Sequence, residues 1–333
     1  MKRLGVLLLA LCAGASWAQS RDCADDVPWR AVAPGVWAWS PPTLQEVSLS
    51  NAGHVVPTSV LIDGGEALVV DPGPSHRHGQ RVRASLACRF GVQVRWIVNT
   101  HAHAENVLAN GAWADRIEAG QTTVLATART RVAMEQRCPA CLQSITERAG
   151  AEAMAGTAIV WPTRTLAEGD VLRVGAQPLR VMREEQGHTE SDLVLWHAQL
   201  GVVWAGGLVV GERLPELAQG RVDAWLAALD RLQALKPRHV IGAVASSAQG
   251  EQAPAALAST RGYLQALREQ VLSAMDQGRH AGESASVPML QMPEWRHWAG
   301  HAQRQDFNVQ RAWRELEPLW MQQVPTANPA QGH

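Results

Sequence analysis

Between residues 35 and 72 short apolar runs are broken by turn-forming residues, the pattern of consecutive strands. Gly35 to Trp39, His54 to Ile62 and Ala67 to Val70 read as strands, with a turn at Asp63-Gly64-Gly65 and a loop opening at Asp71-Pro72-Gly73. Helical periodicity over 78 to 90 precedes an apolar strand, Val94 to Val98, which stops at Asn99-Thr100-His101. A short helix near Asn106 to Trp113, a strand at Thr122 to Leu125 and a long helix over about 127 to 150 follow. Strands dominate 158 to 210, including a hairpin of Leu193 to His197 and Val202 to Val209 turned at Gln199-Leu200-Gly201. Helix Arg221 to Leu235, strand His239 to Val244 and a helical region from Pro254 to Gly278 come next. The proline-bearing stretch 284 to 333 reads as a loop, a short helix near 308 to 320 and a frayed end. Two β-rich halves alternating with helices predict an α/β sandwich with its helices outside.

Composition adds compartment and partners. The chain is 46% hydrophobic and carries a formal charge of −1, so it can bury a large core and presents no basic field for nucleic acid. Residues 1–18 begin with Lys2 and Arg3, continue in an apolar run from Leu4 to Leu11 and end in Ser16-Trp17-Ala18, the form of a secretory signal peptide. That run is shorter than the ~20 residues of a membrane span. No later stretch is long and apolar enough either, so the expectation is a periplasmic protein with no membrane span after cleavage. Loss of Cys12 with the leader leaves Cys23, Cys88, Cys138 and Cys141, an even set that favours disulfides in an exported chain. Of the three pairings we expect Cys23 with Cys88 and Cys138 with Cys141.

The chemical signal is His101-Ala102-His103-Ala104-Glu105-Asn106 at the end of a buried-looking strand. Histidines at i and i+2 of extended backbone point the same way and can reach one ion. His76-Arg77-His78 has the same spacing, but in a polar loop flanked by Gly and Pro, where a solvated surface is expected. Gly187-His188-Thr189 offers a third imidazole in a tight loop before the strand Leu193 to Trp196. Trp295, Trp298 and His301 with Asp306 and Asn308 could make a patch beside the active edge, although Trp in a late segment is more often packing, and Ser59 and Ser191 read as ordinary hydroxyls.

Asp71-Pro72-Gly73, then Asn99-Thr100-His101-Ala102-His103, then Gly187-His188-Thr189 with Ser191-Asp192-Leu193 resemble, in order and spacing, the metallo-β-lactamase superfamily over about residues 30 to 250. Arg213-Leu214-Pro215, Ala224 to Leu229 and Asn308 to Glu317 are similar to its exported subgroup, the quinoprotein relay system zinc metallohydrolases. The resemblance implies an αββα sandwich with the metal centre at one edge between the sheets, and hydrolysis by a metal-activated water. It divides the chain into a signal peptide (1–18), an N-terminal arm (19–29), the metallo-β-lactamase-like domain (30–250), a C-terminal helical extension (251–322) and a disordered tail (323–333).

The departures from the family pattern are as informative. Where the family's first motif ends in aspartate and histidine this chain has Glu105 and Asn106, its bridging aspartate is replaced by Gly207, and its last histidine falls near Val244. His101, His103 and His188, the ligands of the family's first metal, remain. The expectation is therefore one zinc ion and no second site, with Asp71 and Asp192 orienting the ligands and Glu105 as proton acceptor or fourth ligand. Two functions follow: a single-zinc hydrolase acting on a small-molecule substrate, or a catalytically silent accessory protein of a periplasmic quinoprotein dehydrogenase system.

Overall fold

The computed structural model describes residues 23, 26–41, 44–243 and 253–323. The signal peptide, Val244 and the expected disordered tail beyond Gln323 lie outside them. Two sheets face one another. The first has seven strands in the order β1 (Arg30–Ala33), β2 (Val36–Trp39), β3 (Thr58–Asp63), β4 (Glu66–Val70), β5 (Gln93–Val98), β6 (Thr123–Ala126) and β7 (Arg164–Thr165). The second has five, in the order β12 (His239–Gly242), β11 (Val202–Gly206), β10 (Asp192–His197), β9 (Gln177–Glu184) and β8 (Val171–Val174). Pairing is antiparallel from β1 to β4 and from β8 to β11, and parallel along β4, β5, β6 and β7 and between β11 and β12.

Strand periodicity sorts side chains between two cores. In β4, Leu68 and Val70 enter the core between the sheets while Ala67 and Val69 enter the outer core under the helices. In β11, Val202 and Trp204 face inward and Val203 and Ala205 outward. Both faces are buried, which is why these strands read as nearly continuous apolar runs. Trp204 crosses the sandwich and donates its indole N–H to Ser59 Oγ at 3.0 Å, satisfying two polar groups the core would otherwise strand.

Helix α1 (His76–Ser85) covers the first sheet, and α2 (Ala104–Val107) and α3 (Ala114–Glu118) flank a 3₁₀ segment, Leu108–Trp113. Helix α4 (Ala128–Ala149) starts at Thr127, whose hydroxyl accepts the Thr130 N–H. Helices α5 (Val222–Ala234), α6 (Ala253–Asp276) and α7 (His301–Gln323) share one hydrophobic core with the outer face of the second sheet. Helix α7 is much longer than the short helix expected near 308 to 320. Its buried residues Gln305, Asn308, Val309, Ala312, Trp313 and Leu316 recur at helical spacing, and this stripe outweighs the proline content of the segment.

The Cys23–Cys88 disulfide ties the N-terminal arm to the turn after α1. The expected Cys138–Cys141 bridge is not formed. Both are free thiols on α4, Cys138 buried and Cys141 half-buried. They point into the apolar packing beneath Ala102 and Ala104, where the helix holds them one turn apart. The loop expected at His76-Arg77-His78 is instead the first turn of α1, and His78 is buried rather than solvated.

Candidate metal centre

The site forms where parallel strands end. Asp71 follows β4, Asn99-Thr100-His101 follows β5, Gly206-Gly207 closes β11 and Ala243 follows β12, while His188 stands just before β10. Leu193 N–H donates to Thr100 O at 2.8 Å, joining the two sheets at this edge. Asn99 and Asn110 exchange side-chain hydrogen bonds of 3.1 and 2.9 Å and fix the turn that launches His101.

His101, His103 and His188 each bring one ring nitrogen to within 4.8 Å of the others. Their ring centroids are 4.7 Å apart in every pair, edge to face, so the three rings surround one point. Burial holds His101 and His188 well below the usual imidazole pKa, with the neighbouring His103 adding to the effect. Neutral imidazoles are the protonation state a metal ion requires, so the donor set fits such an ion.

A hydrogen-bonded chain fixes the first ligand. Asp71 accepts the Thr100 N–H at 2.9 Å and its hydroxyl at 2.7 Å. With that one hydroxyl proton committed, the 2.8 Å contact between Thr100 Oγ1 and His101 Nδ1 requires Nδ1 to donate. The lone pair of His101 then sits on Nε2, free for an ion. Burial pushes the Asp71 carboxyl up to about 6, partly offset by its Thr100 and Asn106 hydrogen bonds. Asp71 also adopts a left-handed φ of 51°, a backbone position that Asp tolerates better than most residues.

Asp192 organises the third ligand's loop. Oδ2 accepts the backbone N–H groups of His188 at 2.8 Å and Thr189 at 2.9 Å, and Oδ1 accepts the Thr189 hydroxyl at 2.9 Å. His188 packs edge-on against Trp225 at 5.3 Å, and Trp225 is anchored by donating to Leu208 O. Nδ1 of His188 is buried without a hydrogen-bond partner, 3.5 Å from Asp192 Oδ1. A Cβ added at Gly207 would lie 2.0 Å from that same nitrogen. The His188 ring thus fills the space in which any side chain at position 207 would begin.

Glu105, half-buried in the first turn of α2, and Asn106, buried with an unpartnered Oδ1, complete the near wall of a cavity of about 30 Å³. Val56, Val210, Glu216 and Ala243 line it too, with Arg213 and Arg304. Sequence reasoning missed the role of Thr100, the Asn99–Asn110 clamp, Trp225 and the two arginines. Arg213 stood in a segment whose apolar neighbours hint at burial, whereas nothing local marks Arg304. Trp295 and Trp298 pack around Tyr263, and Ala299 just after them pairs with the Glu212 to Leu214 segment that carries Arg213. Asn308 clamps the 215 to 217 turn through Pro215 O and Leu217 N–H.

A second imidazole pair lies beside a larger cavity of about 860 Å³ over α1 and the end of α4. His54 Nδ1 donates to Asn51 O, His78 Nδ1 donates to His54 Nε2, and the Thr58 hydroxyl donates to His78 Nε2. Every ring nitrogen is used internally, so this pair offers no donor to an ion.

The metallo-beta-lactamase superfamily profile matches residues 52–243. Two solved structures share the fold: a metallo-beta-lactamase from Pontibacter korlensis, 17% identical with a TM-score of 0.56 over 71% of this chain and 98% of that one, and a metallo beta lactamase from Hirschia baltica, 14% identical with a TM-score of 0.53 over 72% and 97%. No curated protein matches the chain.

Proposed function

Because the chain belongs to the metallo-β-lactamase superfamily, we propose that it is an exported hydrolase of a small-molecule substrate with a single three-histidine zinc centre. The observation that carries this reading is the convergence of three imidazoles on one point, two of them held neutral by burial. The lack of a side chain at Gly207, and the seating of His188 in that space, support one ion rather than two. The Cys23–Cys88 disulfide supports export to an oxidising compartment, the periplasm.

In the mechanism His101, His103 and His188 would hold the ion, which when bound would supply Lewis acidity and lower the pKa of a water toward ~7. Asp71, acting through Thr100, keeps His101 in the ligating tautomer. Asp192 holds the His188 loop in place. Glu105, on the cavity wall, would accept the proton of the attacking water. Elemental analysis of the purified protein should find one zinc per chain, and two or none would overturn the reading. Glu105→Gln should keep the zinc and abolish hydrolysis of an ester or thioester panel; loss of the ion instead would make Glu105 a fourth ligand.

A second reading is favoured by the cavity's small size: a silent member of the fold serving a periplasmic quinoprotein dehydrogenase system. Zinc at unit stoichiometry with no turnover on any substrate class would support that reading over the first.

A further inference from the structure

Asn106 is 2% exposed and its backbone is held on both sides: the N–H donates to His103 O at 3.0 Å, and the carbonyl accepts the Gly73 N–H at 3.1 Å. Its side chain is set by Asp71. Both Asp71 oxygens accept hydrogen bonds from Thr100, and the Asn106 side chain hydrogen-bonds the same carboxyl. An ionised carboxylate only accepts, so the group turned to Asp71 is the Nδ2 amide and not Oδ1. Oδ1 is then the other branch of the amide, buried, and no donor among the described residues reaches it. Asn106 lines the cavity of the three histidines together with Glu105. The remaining charged groups of that wall are already paired, Arg213 with Glu46 and Arg304 with Glu46 and Glu216. A buried acceptor is costly to leave without a donor, so a small molecule that carries one completes this wall. The cavity of about 30 Å³ has room for one or two waters, at roughly 10–15 Å³ each, and for no larger group.

We propose that Asn106 Oδ1 is a water-positioning acceptor, which with Glu105 holds the attacking water by its two O–H groups and leaves the oxygen lone pairs to face the substrate carbonyl. The water oxygen bonds to the carbonyl carbon, and Glu105 takes one proton and passes it to the leaving group as that bond breaks. The second O–H stays with the attacking oxygen, with Asn106 as its acceptor throughout. The amide exchanges no proton, so its part is to orient the nucleophile. That the water attacks rests on the hydrolase reading above; that Asn106 and Glu105 bind a water does not.

A crystal structure of the mature chain after chelation of bound metal tests the water site directly. One ordered water should lie about 3 Å from both Asn106 Oδ1 and a Glu105 oxygen. No water there, or a metal ion bonded to Oδ1 in the protein as purified, overturns the proposal. Turnover of the ester and thioester panel reads the positioning role. Asn106→Leu, similar in shape but without polar atoms, should lower kcat about tenfold, the worth of one hydrogen bond, with KM unchanged. Asn106→Asp keeps an oxygen on each branch but has no N–H for Asp71, and should recover rate toward that of the unsubstituted protein. If Asn106 acted only by holding Asp71, both variants would lose zinc affinity and rate alike, and that result overturns the proposal. Should Asn106→Leu not fold, the water and the Asn106→Asp rate decide. Water at the site with no turnover removes the hydrolase reading and leaves the water site, whereas turnover without the water removes the proposal and leaves the hydrolase.

Discussion

Thr100 has a single hydroxyl proton, and Asp71 takes it, so the tautomer of His101 is decided two residues away from the ion's position. Thr100→Val, close in shape but without the hydroxyl, should weaken zinc binding by about 10 to 100-fold, the usual cost of losing a partner behind a ligand, and Thr100→Ser should restore it. Competition against a chromophoric chelator reads both. Asp71 also gives stability a pH signature. Its folded pKa of about 6 lies above the 3.8 of an unperturbed aspartate, so between those values the native state binds more protons than the unfolded state. Stability from this group therefore falls as pH rises from about 4 to about 6, and the cost of the buried charge is fully present above that. Denaturant unfolding of metal-free protein should show this decline, and Asp71→Asn should flatten it in that window.

At the scale of elements, α4 decides the fate of two cysteines. Cys138-Pro139-Ala140-Cys141 satisfies the spacing of a local bridge, but the helix buries Cys138 and directs both thiols into packing against Ala102 and Ala104. Burial also pushes the Cys138 thiol up to about 12, and raises that of Cys141, so neither is disposed to ionise and react. Thiol titration of the unfolded, unreduced chain lacking residues 1–18 should count two free groups; none would mean that this pair closes in the cell. Helix α7 acts on the site from further away, because the stripe that seats it in the core also delivers Arg304 to the cavity.

Across the whole molecule the helical C-terminal region is part of the same core as the second sheet. Trp313, 3% exposed, packs in the cluster that includes Val203, Val240, Trp225 and Leu264. Trp313→Ala should cost about 3 to 5 kcal/mol by denaturant midpoint, the range for emptying a large buried site. The transition should stay single, because sheet and helices share one core. A separate early transition would mean that the C-terminal helices fold as their own unit.

The amino-acid sequence by itself determined the strand and helix order, because two-residue and 3.6-residue periodicities and the turns between them are local properties. It also carried the three histidines, since each sits at a strand end or tight loop whose chemistry is written in adjacent residues. What it could not carry is anything set by packing between distant segments. The length of α7 depended on a stripe matched to the outer face of the second sheet, against the weight of Pro318 within it and the prolines on either side. His78 was buried by Trp39, His54 and Thr58 from separate elements. The arginines of the site come from positions 213 and 304 and meet through Glu46, and only the folded chain brings residues 258 positions apart to hydrogen-bond distance. Charge is paired by geometry in three dimensions, and no one-dimensional spacing encodes it.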